Sequence, residues 1–437
     1  MLKKISSILK NKEVMNRVVF TLVVLFIFKL GSTITVPRVD VTNVDIQNSG
    51  DIFGLMNILG GGALKYFSVF AMGVSPYITA SIVINLLSMG VLPKLEELAK
   101  QGAAGRKKLD NATRALALLL AAVQAYGVIV TMEVNYGLSP IGGGRFGLWD
   151  YLYLILITVA GTFLLMWMAD QITAKGVGNG ISMIIFAGII AEMPYQISQA
   201  FGNFVGLDAS NSAAVFNGII SFSVYLLAYL GLMVFVVFME RAVRKVPIQY
   251  ASTNFQARTK DIAFLPIKLN SAGVIPVIFA SSILTAPPII MSFLQVPQSN
   301  PLYRILSISQ TYQGVPWGLM IYIVLILVFT FFYTGLQLDP QKISENFAKS
   351  GAYIPGIRPG KETEVHLRRV IYRLTTIGAL FLTFIAALPM VLTIVFSLPS
   401  AIAFGGTGLI IVVGVIMETA KEIDGRLANK EYQGFIG

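Results

Sequence analysis

The sequence predicts an all-α polytopic membrane protein, with ten transmembrane helices in two pseudo-symmetric inverted halves around a central pore. Three observations carry that prediction. The composition is 55% hydrophobic and only 13% charged, where a soluble domain carries about 25% charged residues. Ten apolar runs recur along the 437 residues, each close to the length of about 20 residues that spans a bilayer core. A Gly-Val-x-Pro motif also returns after 200 residues, in a span expected to run the opposite way.

The runs are Val18–Val36, Phe67–Val91, Ala115–Glu133, Leu148–Ala169, Ile181–Ile197, Ala213–Met239, Ala272–Phe293, Trp317–Leu338, Ile371–Val395 and Ser400–Met417. Helix is expected in each, because only a helix or a closed barrel satisfies its backbone inside hydrocarbon. The first run follows the basic stretch Met1–Lys12 and so resembles a secretory signal. It lacks a small-x-small cleavage site, Lys29 interrupts it, and nine runs follow, so a retained first helix is expected. Gly73 and Pro76 in the second run, Pro276 in the seventh and Pro389 in the ninth read as kinks or breaks packed against neighbours.

Orientation follows from the basic residues. With the N-terminus inside, alternate loops on that side hold 28 of the 33 Lys and Arg. The outer side and span edges keep only Lys29, Arg38, Lys65, Arg145 and Arg304. Positive loops stay inside, so both termini are expected to be cytoplasmic in a multi-pass membrane protein. That asymmetry also explains the net charge of +11 without nucleic acid.

Several chemistries are excluded. There is no cysteine, hence no disulfide or thiolate site. The one histidine, His366, sits in Thr363-Glu364-Val365-His366-Leu367-Arg368-Arg369, which is no metal or dyad motif; no catalytic residue, metal or cofactor is expected. Within the spans, Glu192 lies in the fifth and Asp150 and Asp170 near the ends of the fourth. Ion-coupled transporters place ionisable groups at mid-depth, so this scarcity disfavours a secondary transporter of a small solute, the alternative reading. Paired acidic motifs of a Mg²⁺-dependent prenyltransferase are absent too. Gly356–Thr363 fails the phosphate-loop spacing, and Gly176-Val177-Gly178-Asn179-Gly180 follows no strand. Energy for any work is therefore expected to come from elsewhere.

The repeat pairs Ala71-Met72-Gly73-Val74-Ser75-Pro76-Tyr77-Ile78 with Ser271-Ala272-Gly273-Val274-Ile275-Pro276-Val277-Ile278. Spans two and seven run in opposite directions, as in an inverted-topology repeat with its site between the halves; two unrelated Gly/Pro kinks would give the same similarity. Two inner loops, 240–270 and 339–370, exceed the ordinary loop length of about 12 to 15 residues. The first carries Arg244, Lys245 and Arg258; the second carries a Gly/Pro-framed tip around Arg358. Such framing gives rigid turns, which suits docking of a protein partner.

Taken in order, Phe70–Ile78 with Ala80-Ser81-Ile82, Gly178-Asn179-Gly180-Ile181-Ser182, Ala272-Gly273-Val274-Ile275-Pro276 and Gly351-Ala352-Tyr353-Ile354-Pro355-Gly356-Ile357-Arg358-Pro359-Gly360 resemble the SecY/Sec61-alpha family over nearly the whole chain. Members are pore subunits of the Sec protein translocase. The resemblance implies halves at 1–205 (spans one to five) and 206–437 (spans six to ten), opening laterally to lipid. It implies a pore ring of Val74, Ile78, Ile181, Ile185, Ile278 and Ile411, with Val74 where isoleucine is commoner. A plug, a short helix in the family, maps to about Gly54–Tyr66, including Asn57, Gly60, Gly61, Gly62 and Leu64. Thr79, Asn85, Gln124 and Ser282 fall at the lateral gate. Implied partners are SecE-like and SecG-like small membrane subunits, the SecA ATPase, the ribosome, secretory and membrane-protein polypeptides, and the lipid bilayer.

Overall fold

The structure is a computed structural model. It describes residues 11–42, 44, 57, 60–88, 92–206, 212–250, 263–293, 296, 300–306, 312, 314–396 and 406–433. Helix dominates, as the apolar runs require. In chain order come α1 (Lys12–Thr33), α2 (Ser75–Leu86), α3 (Pro93–Lys100), α4 (Gly102–Tyr136), α5 (Leu148–Lys175) and α6 (Gly180–Val205). Then follow α7 (Ser212–Arg241), α8 (Ile275–Phe293), α9 (Pro301–Leu306), α10 (Trp317–Gln337), α11 (Pro340–Ser350), α12 (Lys361–Phe396) and α13 (Gly406–Gln433). Among the described residues, seven helices are long and apolar enough to cross a membrane, α2 and the stretch Ile275–Leu284 of α8 are shorter apolar helices, and the start of α13 is apolar as well. These are the ten expected spans, and the chain is a multi-pass membrane protein.

The helices pack in two matching sequences. α2 lies on α4, α4 on α5 and α5 on α6; correspondingly α8 lies on α10, α10 on α12 and α12 on α13. α1 packs on α5 and α6, and α7 on α13. Contacts between these sets run through α6 with α7 and α13, α8 with α4 and α2, and α13 with α1.

The repeat has a structural basis. Gly73 and Gly273 both adopt the left-handed region, at φ 55° and 63°, which glycine tolerates without penalty. In both copies the following valine accepts the first helical bond, from Ile78 N–H to Val74 at 3.1 Å and from Ile278 N–H to Val274 at 3.3 Å. The two copies thus share a helix start built on a left-handed glycine. It also corrects the expected role of the prolines. Pro76 and Pro276 are not mid-span kinks: each occupies the second position of its helix, where a missing N–H costs nothing and the fixed φ favours initiation. The second span is therefore no continuous helix over Phe67–Val91: Phe67–Val74 is a chain of turns, and helix runs from Ser75 to Leu86. Interior prolines of the seventh span lie further on, at Pro287 and Pro288, and Pro389 is interior to α12 as expected.

The described parts of the two long loops carry regular structure. Strands β3 (Val243–Tyr250) and β4 (Ala263–Lys268) form an antiparallel hairpin, and β5 (Ala352–Tyr353) joins the end of β3, with Gln249 opposite Tyr353. Alternation turns Val246 and Ile248 inward and leaves Lys245, Pro247 and Gln249 outside, while Arg244 is exposed at the start of the strand. A cluster of Val246, Ile267, Ile354, Leu367 and Ile371 fastens this sheet to α12. After α1, β1 (Val39–Asp40) pairs with β2 (Ser139–Pro140).

Candidate functional site

The six aliphatic residues assigned to the constriction converge from four helices onto one cluster. Val74, Ile185 and Ile411 are buried members at 5%, 5% and 3% exposure. Ile78, Ile181 and Ile278 are half-buried and pack against it. Helix starts set this placement. Val74 caps α2, and the Asn179 side chain caps α6 by accepting the N–H groups of Ile181 and Ser182. That cap, and not nucleotide binding, accounts for Gly178-Asn179-Gly180; the Gly178 N–H donates to Glu422 in α13 at 2.8 Å. Val274 also packs on the cluster. Sequence reasoning missed it, although the repeat makes it the counterpart of Val74.

A girdle of branched aliphatic side chains offers no hydrogen bond to water, so a constriction built from it disfavours water and ions. It makes no directional contact that would select one peptide sequence.

The segment mapped as the plug is described at Asn57 and from Gly60 on; Gly54 lies outside the described residues. Asn57 is helical, and Gly60–Phe67 is a run of turns, in which Gly61 and Gly62 take positive φ of 67° and 83°. The Asn57 carboxamide oxygen accepts the Lys65 N–H at 2.8 Å, closing the segment on itself. Leu64 is wholly buried, in a cluster with Val36, Phe67, Ile129 and Leu138.

The gate residues are dispersed. α8 lies against α4 and α2. Thr79 donates to the Ser75 carbonyl of its own helix, Asn85 is exposed and Ser282 half-buried. The Gln124 carboxamide oxygen is buried without a hydrogen-bond partner in the described structure.

On the strand-bearing loops, Arg244, Lys245 and Arg358 are all exposed, and Arg258 lies outside the described residues. The Arg358 tip is held on both flanks. Ile357 N–H donates to the Ile354 carbonyl, Thr363 Oγ1 to the Arg358 carbonyl and Ser344 Oγ to the Gly360 carbonyl, while Gly356 and Gly360 turn the chain at positive φ.

A family model described as SecY matches residues 68–420. The chain belongs to the SecY family. A protein translocase subunit SecY of Bacillus licheniformis is 42% identical over 443 residues, covering 100% of both chains. Among solved structures, one titled as that of a protein conducting channel covers 94% of this chain and 92% of its own, at TM-score 0.66 and 18% identity. Sec61 in a canine ribosome–channel complex from the endoplasmic reticulum matches over 94% of this chain and 92% of its own, at TM-score 0.64 and 18% identity. These two neighbours carry the fold, a polytopic bundle of apolar helices shared across the SecY family.

Proposed function

We propose that this chain is the pore subunit of a protein translocase, passing unfolded secretory polypeptides across the bacterial cytoplasmic membrane and releasing signal sequences and membrane spans sideways into lipid. The convergence of Val74, Ile78, Ile181, Ile185, Ile278 and Ile411 on one cluster carries this reading. They form the seal, and residues 57 and 60–66 form the plug beside it. Residues 1–205 and 206–437 act as the two halves, and the seam of α8 against α2 and α4 is the lateral gate, with Thr79, Asn85, Gln124 and Ser282 along it. Partition through such a seam is driven by hydrophobicity: ten Leu, Ile, Val or Phe at mid-bilayer gain roughly 3 to 6 kcal/mol. Interhelical hydrogen bonds of about 0.6 to 2 kcal/mol each set the resistance to opening.

Both termini and the β3–β4–β5 sheet lie in the cytoplasm, following the distribution of Lys and Arg. There Arg244, Lys245, Arg258 and Arg358 receive the partner that supplies energy: the SecA ATPase for export, the ribosome for co-translational insertion. SecE-like and SecG-like subunits complete the complex. A small-solute transporter would need polar groups where this site gathers aliphatic ones. Reconstituted vesicles holding the chain with its small subunits should import a preprotein when SecA and ATP are added, and Ile278→Asp should leak ions. Vesicles that accumulate a small solute but no preprotein would overturn the proposal.

A further inference from the structure

Two charged residues in the spans have a place in the structure that sealing does not assign. Lys29, near the end of α1, lies 3.6 Å from Glu192 of α6, and its Nζ donates to the Gly61 carbonyl at 2.8 Å. The Glu192 side chain is only 11% exposed. Its carboxylate abuts Gly62, where any Cβ would collide with Oε1. One turn earlier on the same face of α6, a Cβ on Gly61 would come within 2.8 Å of Gly188 Cα. One turn later Tyr195 offers its ring to the Lys65 ammonium, 4.7 Å from the centroid, a cation–π contact. Thus Gly188, Glu192 and Tyr195 form a track on α6 against which the glycine turn lies, and Lys29 closes over it from α1.

We infer that Lys29 and Glu192 are positioning residues that latch the segment Gly60–Tyr66 in its sealing place, an inference that rests on the pore reading above. Outside the latch, these charges would sit in spans where unpaired ions are strongly disfavoured. Paired with each other and with a main-chain carbonyl, they are compatible with burial only while the segment is seated. Moving the segment removes the Gly61 carbonyl from Lys29 and uncovers the pair. The latch therefore couples the electrostatics of α1 and α6 to the position of the plug.

The test uses the translocase purified with its small subunits and reconstituted in planar bilayers. Leu64→Cys is introduced as a reporter, since the chain has no cysteine and Leu64 is inaccessible in the seated state. Lys29→Met strands the Glu192 carboxylate and should raise both resting conductance and the rate of labelling by an impermeant maleimide by roughly a hundredfold. Glu192→Gln, which strands the more exposed ammonium, should raise both by about tenfold. Lys29→Met/Glu192→Gln leaves no orphan charge and should be milder than Lys29→Met alone, and Lys29→Arg should stay near wild type. Unchanged labelling in both single variants, or a double variant equal to the product of the singles, overturns the latch. If Ile278→Asp leaks while the latch variants do not, the pore reading stands and the latch falls. If labelling rises in the latch variants but neither they nor Ile278→Asp conduct, the contact stands and its sealing role, with the pore reading, falls.

Discussion

Ile278 and Val274 carry the account at the level of single side chains. Ile278→Asp puts a carboxylate into a cluster that otherwise presents hydrocarbon, so water should enter and resting conductance in planar bilayers should rise by at least about tenfold. Val274→Asp should do the same, because Val274 packs on that cluster too. Unchanged conductance in a folded Val274→Asp protein would return it to helix packing. Val74, Ile78, Ile181 and Ile278 fall within the motifs and the repeat, whereas Ile185 and Ile411 lie outside them. Val274 lies within a motif as well, but only its place opposite Val74 in the 200-residue repeat marks it out. Lys29 and Glu192 were each conspicuous as charges within apolar runs, yet nothing local joins residues 163 positions apart.

The two broken segments are the elements that most directly test the repeat. Gly73 and Gly273 share a positive φ, and neither is crowded: a Cβ at Gly73 would find only Gly60 Cα at 3.8 Å, and one at Gly273 nothing within 4 Å. Alanine at either site should therefore cost backbone strain alone, about 1 kcal/mol, and to a similar extent in both. Denaturation in detergent measures this; a large loss at one site with none at the other would contradict structural equivalence. Hydropathy could not locate these breaks, since Phe67–Val74 is as apolar as the helix after it; the glycine conformation decides where helix begins. The β3–β4 hairpin was half visible in the alternation of Val246 and Ile248, but Pro247 interrupts it and its pairing with Ala352–Tyr353 is long-range. The sheet gives Arg358 a fixed base. Arg358→Glu should weaken docking of the cytoplasmic partner by roughly 2 to 5 kcal/mol if the guanidinium is buried there, abolishing most SecA-driven import while sparing expression. Lys361→Glu, on the exposed first turn of α12, should change import little; equal loss in both would reduce Arg358 to one charge among many.

At the scale of the whole molecule, the segregation of Lys and Arg predicts an orientation that the cysteine-free chain allows to be tested cleanly. Single cysteines replacing Gly143 should react with an impermeant maleimide added to intact cells, and those replacing Gln101 or Ser350 only after permeabilisation. External labelling at Ser350 would invert the molecule. Span number and order were readable from hydropathy because hydrocarbon leaves the backbone little choice but helix; the packing of α8 across α2 and α4 was not, since lipid-facing and buried aliphatic residues read alike. The central claim is that a polypeptide passes through the aliphatic cluster. Its most direct test is disulfide trapping of a secretory chain arrested midway through the membrane, with one cysteine in the chain and one replacing Ile278, Ile185 or the lipid-facing Leu227 of α7, which is 69% exposed. The account predicts strong crosslinks from the first two positions and none from Leu227. Absent crosslinks at Ile278 and Ile185, with the chain demonstrably arrested, would contradict it.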